Sequence, residues 1–277
     1  MAIPTVFFFF FFFFFLLLLH PPFSTADHVL YTDEILIAGQ NLSNGPHRLS
    51  LHQNCRLVLS TAGDPTWSTN TSYNGGNCYL VLTQKGELVV RRNTHYTLWS
   101  SAAKSRKGKY ALVLDDRGRL AVYGQRRWST SNPKALAGPD DPAEILPAAE
   151  CVLHSGHRLT PGEKLRYRQY ELAFSRCNAV INDTRTGRWL WQTGTKAAAP
   201  AKCHLQLENS GELSLSNGWQ RIWSSNKRTD SGRHVAILRF DGRLAVYGPL
   251  VWANVRMDDS MVPDSVEAQS SRFRWAD

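Results

Sequence analysis

The chain has 277 residues, 43% of them hydrophobic, and its 32 Lys and Arg against 23 Asp and Glu give a formal charge of +9. That length suits one large domain or two of ordinary size. Five cysteines without a CxxC or Cys/His cluster exclude a zinc module, and nothing after residue 26 is apolar enough to span a bilayer.

In chain order, residues 1–26 come first. Val6–Leu19 is an unbroken apolar run, mostly Phe, followed by Pro21-Pro22 and the small residues Ser24 and Ala26. The run is shorter than the roughly 20 residues of a membrane span. It reads as a signal peptide with the mature chain starting at Asp27, which implies a secreted or vacuolar protein on a disulfide-permissive route. A basic body at 27–132, a short acidic Pro-bearing linker at 133–148, a second basic body at 149–256 and an acidic tail at 257–277 follow. The linker is the expected nicking site, and the tail reads as a removable propeptide.

The two bodies are copies of each other. Trp67, Trp99 and Trp128 are spaced like Trp191, Trp223 and Trp252, and GRLAVYG occurs at 118–124 and again at 242–248. The openings HVLYTDEIL and CVLHSGHRL also match. Within each copy, short alternating strands break at turn residues: NCRLVL, QKGELVV and RGRLAVYG, then RCNAVI, NSGELSL and DGRLAVYG. Three hairpin units per copy, each followed by a Trp, predict three small antiparallel sheets with three Trp rings in the shared centre. No helical periodicity appears, so the predicted fold is all-β. Cys55 with Cys78 and Cys177 with Cys203 are the expected disulfides, one per copy. Cys151, at the place of His28, is read as a buried free thiol, with an intermolecular disulfide as the alternative. Asn41, Asn70 and Asn182 head candidate glycosylation sequons.

This pattern of Trp, Cys and Tyr-Gly landmarks over nearly the whole mature chain resembles the monocot mannose-binding, or bulb-type, lectins. The resemblance implies two tandem β-prism (type II) domains, each with pseudo-threefold symmetry. It also implies carbohydrate binding without catalysis, homo- or hetero-oligomers, and a C-terminal strand that can exchange between domains, here sought at Ser129–Pro133 and Ala253–Met257. The family's sugar site is the strand pattern QxDxNxVxY. Alternate residues share one face, so Gln, Asp and Asn offer donors and acceptors there while Val packs on the ring.

None of the six strands keeps more than two of the five positions. They carry His52, Asn54, Arg56, Val58 and Ser60; Thr83, Lys85, Glu87, Val89 and Arg91; Asp115, Arg117, Arg119, Ala121 and Tyr123. In the second copy they carry Phe174, Arg176, Asn178, Val180 and Asn182; Glu208, Ser210, Glu212, Ser214 and Ser216; Arg239, Asp241, Arg243, Ala245 and Tyr247. The candidate carbohydrate-binding residues are therefore Asn178, Val180, Asp241, Ala245, Tyr247 and Tyr123, with mannose affinity expected to be weak or lost. Arg117, Arg119, Arg239 and Arg243 are candidates for an anionic glycan, because guanidinium offers only donors. The alternative is a storage, defence or protein-interaction role on the same scaffold. The basic run Lys104–Lys109 reads as a solvated loop whose charge would suit sulfated glycans or an anionic membrane surface; no nucleic-acid module accompanies it. The nine His are scattered with no nucleophile or HExxH motif, so no enzyme, metal or cofactor is expected.

Overall fold

The computed structural model describes residues 28–131, 151–196 and 202–255. The expected leader, linker and tail lie outside them. The described residues form six four-stranded antiparallel sheets and no helix. Each hairpin unit supplies the middle of one sheet. Leu57–Thr61 is flanked by His47–Leu51 and Asp64–Ser68, and Leu88–Arg91 by Tyr79–Leu82 and Thr97–Ser100. In the second copy, Asn178–Asp183 and Leu213–Asn217 take the same places.

The turn inside GRLAVYG depends on glycine. Gly118 and Gly242 sit at φ 71° and 69°, in the left-handed region that glycine occupies without a steric cost. A β-carbon on Gly118 would lie 2.5 Å from His47 Nδ1, and one on Gly242 2.7 Å from Leu190 Cδ1. The turn thus allows its neighbouring hairpin to close in.

The third sheet of each copy is completed by the other copy. Leu120–Tyr123 pairs on one side with Ala111–Leu114 and on the other with Leu250–Ala253 from the second half of the chain. Reciprocally, Leu244–Tyr247 pairs with Arg126–Ser129 from the first half. Matching latches hold both joints: Leu120 N–H donates to Asn254 Oδ1 at 2.9 Å, and Leu244 N–H donates to Thr130 Oγ1 at 3.2 Å.

The exchange corrects the expected Trp centres. Trp67 and Trp99 meet Trp252, not Trp128, with ring centroids 5.7–6.1 Å apart. Trp191 and Trp223 meet Trp128 at 5.6–6.0 Å. All six contacts are edge-to-face, the arrangement that aromatic quadrupoles favour. The exchanged strands are Arg126–Ser129 and Leu250–Ala253, so the crossing begins before the third Trp, earlier than the segments singled out from the sequence.

Cys55–Cys78 and Cys177–Cys203 are disulfide-bonded, each with Cα atoms 5.6 Å apart, as expected from their places in the repeat. Cys151 is buried and in neither disulfide, and its Sγ lies 3.4 Å from Nε2 of His28, its counterpart in the repeat.

Candidate functional site

Every sheet turns one face to its own prism core and one outward. The six outward faces are where the strand pattern predicted ligand contacts, and they differ sharply.

The two faces built on GRLAVYG are closed. Ala121 and Tyr123 are 2% and 3% exposed, and Ala245 and Tyr247 are fully buried. Val29, Ala111, Val113, Ala121 and Tyr123 of the first copy join one apolar cluster with Val235, Ile237, Ala245 and Tyr247 of the second. The central strands Ala111–Leu114, Leu120–Tyr123, Val235–Leu238 and Leu244–Tyr247 are therefore buried on both sides, at every position. Tyr123, Ala245 and Tyr247 are thus brought together as the joint between the copies, where they present no free surface to a sugar.

Polar groups rim this joint, most of them already engaged. Asp115 is 4% exposed. Its carboxylate accepts the backbone N–H of Arg117 and Arg119, at 3.1 and 2.8 Å, and the Arg119 Nε at 2.6 Å. Arg239 donates to the Tyr247 hydroxyl at 2.5 Å and stacks 4.6 Å over the Tyr31 ring. Asp241 lies between Arg239 and Arg243, at 3.4 and 3.6 Å. Three of the four arginines proposed for anionic ligands are thus held in internal ion pairs; Arg117 is exposed. Burial, and then the Asp115 carboxylate, push the Tyr123 phenol up to about 12. Against that ring packs His154, at 6.3 Å. Burial holds the His154 imidazole down at about 4; His157 and Arg119 lower it further, while Asp115 and Asp116 act the other way.

Three faces present polar or mixed side chains that satisfy each other. Arg56 donates twice to Ser68 Oγ, at 3.2 and 2.7 Å. Glu87 accepts the Ser100 hydroxyl and faces Lys104. Glu212 accepts from the Ser224 hydroxyl, Arg221 and Arg228. Burial raises the Glu212 carboxyl, but these donors outweigh it and hold the group below the usual carboxylate range.

The remaining face, on Tyr170–Ser175 and Asn178–Asp183, holds a cleft of about 310 Å³. Lys164, Glu171, Ala173, Phe174, Val180, Asn182 and Trp189 line it. Ala173 is paired with Val180, and Asn182 is flanked by Glu171 and Trp189, so strand alternation sends these side chains outward together. A bulge between Ile181 and Asn182 matters here. Trp191 opposes Ile181, whose side chain is in the core, while Trp189 opposes Asn182 on the outer face. The extra residue lets two Trp at i and i+2 point to opposite sides. Trp189 is 55% exposed, and its place in the first copy is taken by Pro65.

The cleft has one unsatisfied group. Asn182 Oδ1 is buried with no hydrogen-bond partner among the described residues. Asn178, by contrast, is fully engaged. Its Nδ2 donates to Gln192 Oε1 at 2.7 Å, and its Oδ1 accepts from the Thr193 hydroxyl and Gly194 N–H at 3.0 and 2.8 Å. Asn178 therefore braces the strand beside the cleft, whereas Val180 lines it. Glu171 accepts from Lys164 at 2.9 Å and Arg166 at 3.0 Å. Burial raises this carboxyl, but the two cations prevail and keep it ionised. Trp189, Phe174, Lys164 and Glu171 were not singled out as binding residues from sequence; the legible signal was the doubled Trp of RWLWQ.

Of the sequons, Asn41 is half-buried in a strand, Asn70 is exposed, and Asn182 lies in the cleft. Among the described residues no group of three His, Cys, Asp or Glu could hold a metal, and no helix is long and apolar enough to cross a membrane.

Most of the chain matches curated relatives. Mannose-specific lectin 2 of Colocasia esculenta is 33% identical over 225 residues, covering 80% of this chain and 83% of the relative. Mannose-specific lectin 1 of Remusatia vivipara is 32% identical over 225 residues, covering 78% and 85%. Among solved structures, the fetuin-binding two-domain lectin of Scilla campanulata superposes with a TM-score of 0.71 at 25% identity, over 82% of this chain and all of that one. No protein-family model matches the chain. With its two exchanged three-sheet prisms and relatives that match across both, the chain belongs to the monocot mannose-specific, bulb-type lectin family.

Proposed function

We propose that this protein is a secreted, non-catalytic carbohydrate-binding protein whose working site is the cleft on the Asn178–Asp183 sheet. The unsatisfied Asn182 Oδ1 beside the exposed Trp189 ring carries this reading. A buried acceptor without a partner is costly, and a sugar hydroxyl would satisfy it. Phe174, Val180 and Trp189 offer an apolar surface for the C–H face of a pyranose, while Lys164 and Glu171 offer a donor and an acceptor. Its relatives are named as mannose-specific, which supports a mannose-type ligand. Mannose affinity is weak, because the six strands have lost most of the family's polar positions and Asn178 is committed to Gln192 and Thr193.

A glycan array at two salt concentrations, run on the wild type and on Trp189→Ala, tests this. Binding to neutral glycans that survives high salt and falls about tenfold in the variant is the expected result. Binding untouched by Trp189→Ala would place the site elsewhere. No binding by either protein would favour a storage or protein-interaction role on the lectin scaffold.

A further inference from the structure

The chain contains its own control for deciding which surface charges the fold requires. After the second Trp of each copy a loop runs back over the preceding hairpin, and its scaffold is the same in both halves. Ser105 N–H donates to the Lys85 carbonyl at 2.8 Å, and Thr229 N–H to that of Ser210 at 2.8 Å. Gly108 N–H donates to Gln84 and Gly232 N–H to Asn209, at 2.8 and 2.9 Å. Arg126 N–H reaches the Lys109 carbonyl at 2.7 Å, as Leu250 N–H reaches Arg233 at 2.8 Å. The anchoring ion pair is shared too, since Lys104 faces Glu87 where Arg228 meets Glu212.

The side chains hung on this common frame differ. At equivalent places the first copy carries Lys85, Arg106, Lys107 and Arg126, and the second carries Ser210, Asp230, Ser231 and Leu250. All four cations are exposed, and none is in an ion pair among the described residues. Lys104 and Lys109 add to the patch, although each faces an acid, Glu87 and Asp33. The second copy builds the identical loop without those four charges, so folding does not account for them.

We infer that this loop is a polyanion-binding surface, separate from the cleft, whose partner is a sulfated or uronate-bearing polysaccharide chain. It stands whether or not the cleft binds sugar. Cations held at fixed spacing by backbone bonds match a chain with regularly repeated anions, through charge-assisted hydrogen bonds. The rest of the loop is Ala102, Ala103, Ser105 and Gly108. It has no bulky apolar residue to enter a bilayer and no aromatic ring to stack a base, so a membrane or a nucleic acid fits less well.

Retention on immobilised heparin in a salt gradient is the test. The variant Lys85→Ser/Arg106→Asp/Lys107→Ser transplants the second copy's residues. An Arg185→Asp/Arg188→Ser/Lys202→Ser variant removes the same charge from exposed positions of the other copy. The first variant is expected to lose at least tenfold in heparin affinity and the second to stay close to wild type. Equal losses in both, or none in the first, would overturn the proposal. So would binding of the wild type to anionic phospholipid vesicles, or to single-stranded nucleic acid, but not to heparin. On the unmutated protein, heparin should shield Lys85 and Lys107 from amine acetylation more than Lys202, and a uniform pattern would count against the site.

Discussion

The strand ending in Tyr247 and the strand carrying Asn182 begin from the same geometry and finish in opposite environments. Each is the middle strand of a four-stranded sheet, flanked on both sides, with a bulge where the last strand joins. On the Tyr247 strand the outward residues are Ala245 and Tyr247, fully buried against the first copy. On the Asn182 strand they are Val180 and Asn182, which open into a cleft with Trp189 beside them. A face that has become a joint is selected for packing, and its arginines are absorbed by Asp115, Asp241 and Tyr247. A face left open can retain an unsatisfied polar atom, because a ligand can satisfy it. The position of a residue in the repeat therefore says less about its role than what covers its sheet.

The contrast can be broken first by truncating the joint. Tyr247→Ala should cost about 3–5 kcal/mol in chemical denaturation, the cost of emptying a filled core site. A cost below about 1 kcal/mol would mean that the two outward faces are not packed together. Next, Trp252→Ala should cost about 3 kcal/mol, and the damage should appear in the first copy although the residue lies in the second half of the chain. Hydrogen exchange should quicken at Leu88–Arg91 and remain slow at Leu213–Asn217; the reverse pattern would argue against strand exchange. Acidification gives a third, smaller effect. His154 is neutral in the fold down to about pH 4 and protonates near 6.5 once exposed, so the open form binds the extra proton between these values. Stability should fall as pH drops from about 6.5 towards 4, by at most about 3 kcal/mol, and His154→Tyr, which copies Tyr31, should flatten the slope. Part of the slope should remain, since His157, His204 and His234 are also held below the ordinary imidazole value, chiefly by burial. The smallest effect belongs to the open face. Asn182→Val should leave stability unchanged or raise it by about 0.5–1 kcal/mol, by removing a buried unpaired acceptor, while glycan binding is lost. Titration calorimetry alongside thermal melts would separate the two outcomes.

Much of the fold was legible in the Trp spacings, the paired cysteines and the turn glycines, because these mark local hairpins and their shared centres. The resemblance implied strand exchange just after Trp128 and Trp252, but the spacing of the two Trp did not reveal that they cross as well. Their spacing is identical whether each strand folds back on its own copy or crosses to the other, and only the register with Val246 and Val122 distinguishes the two. Tyr123 and Tyr247 were misplaced for a similar reason. Alternation sends them to the outer face of their sheets, but what covers that face comes from a segment more than a hundred residues away. Trp189 was overlooked because a strict period of two would place it on the same side as Trp191; a one-residue bulge reverses it. His28 and Cys151 were matched as equivalents, and the structure adds that these equivalents touch.

The crossed strands also bear on how the halves can be separated. If the chain were cut between residues 131 and 151, neither fragment would carry a finished body. The first would leave Leu120–Tyr123 as a bare edge and Trp67 with Trp99 around an empty place, and the second would do the same at Leu244–Tyr247. Nicking would then yield two polypeptides that stay interlocked, each the missing part of the other. The pair would come apart only under conditions that unfold both.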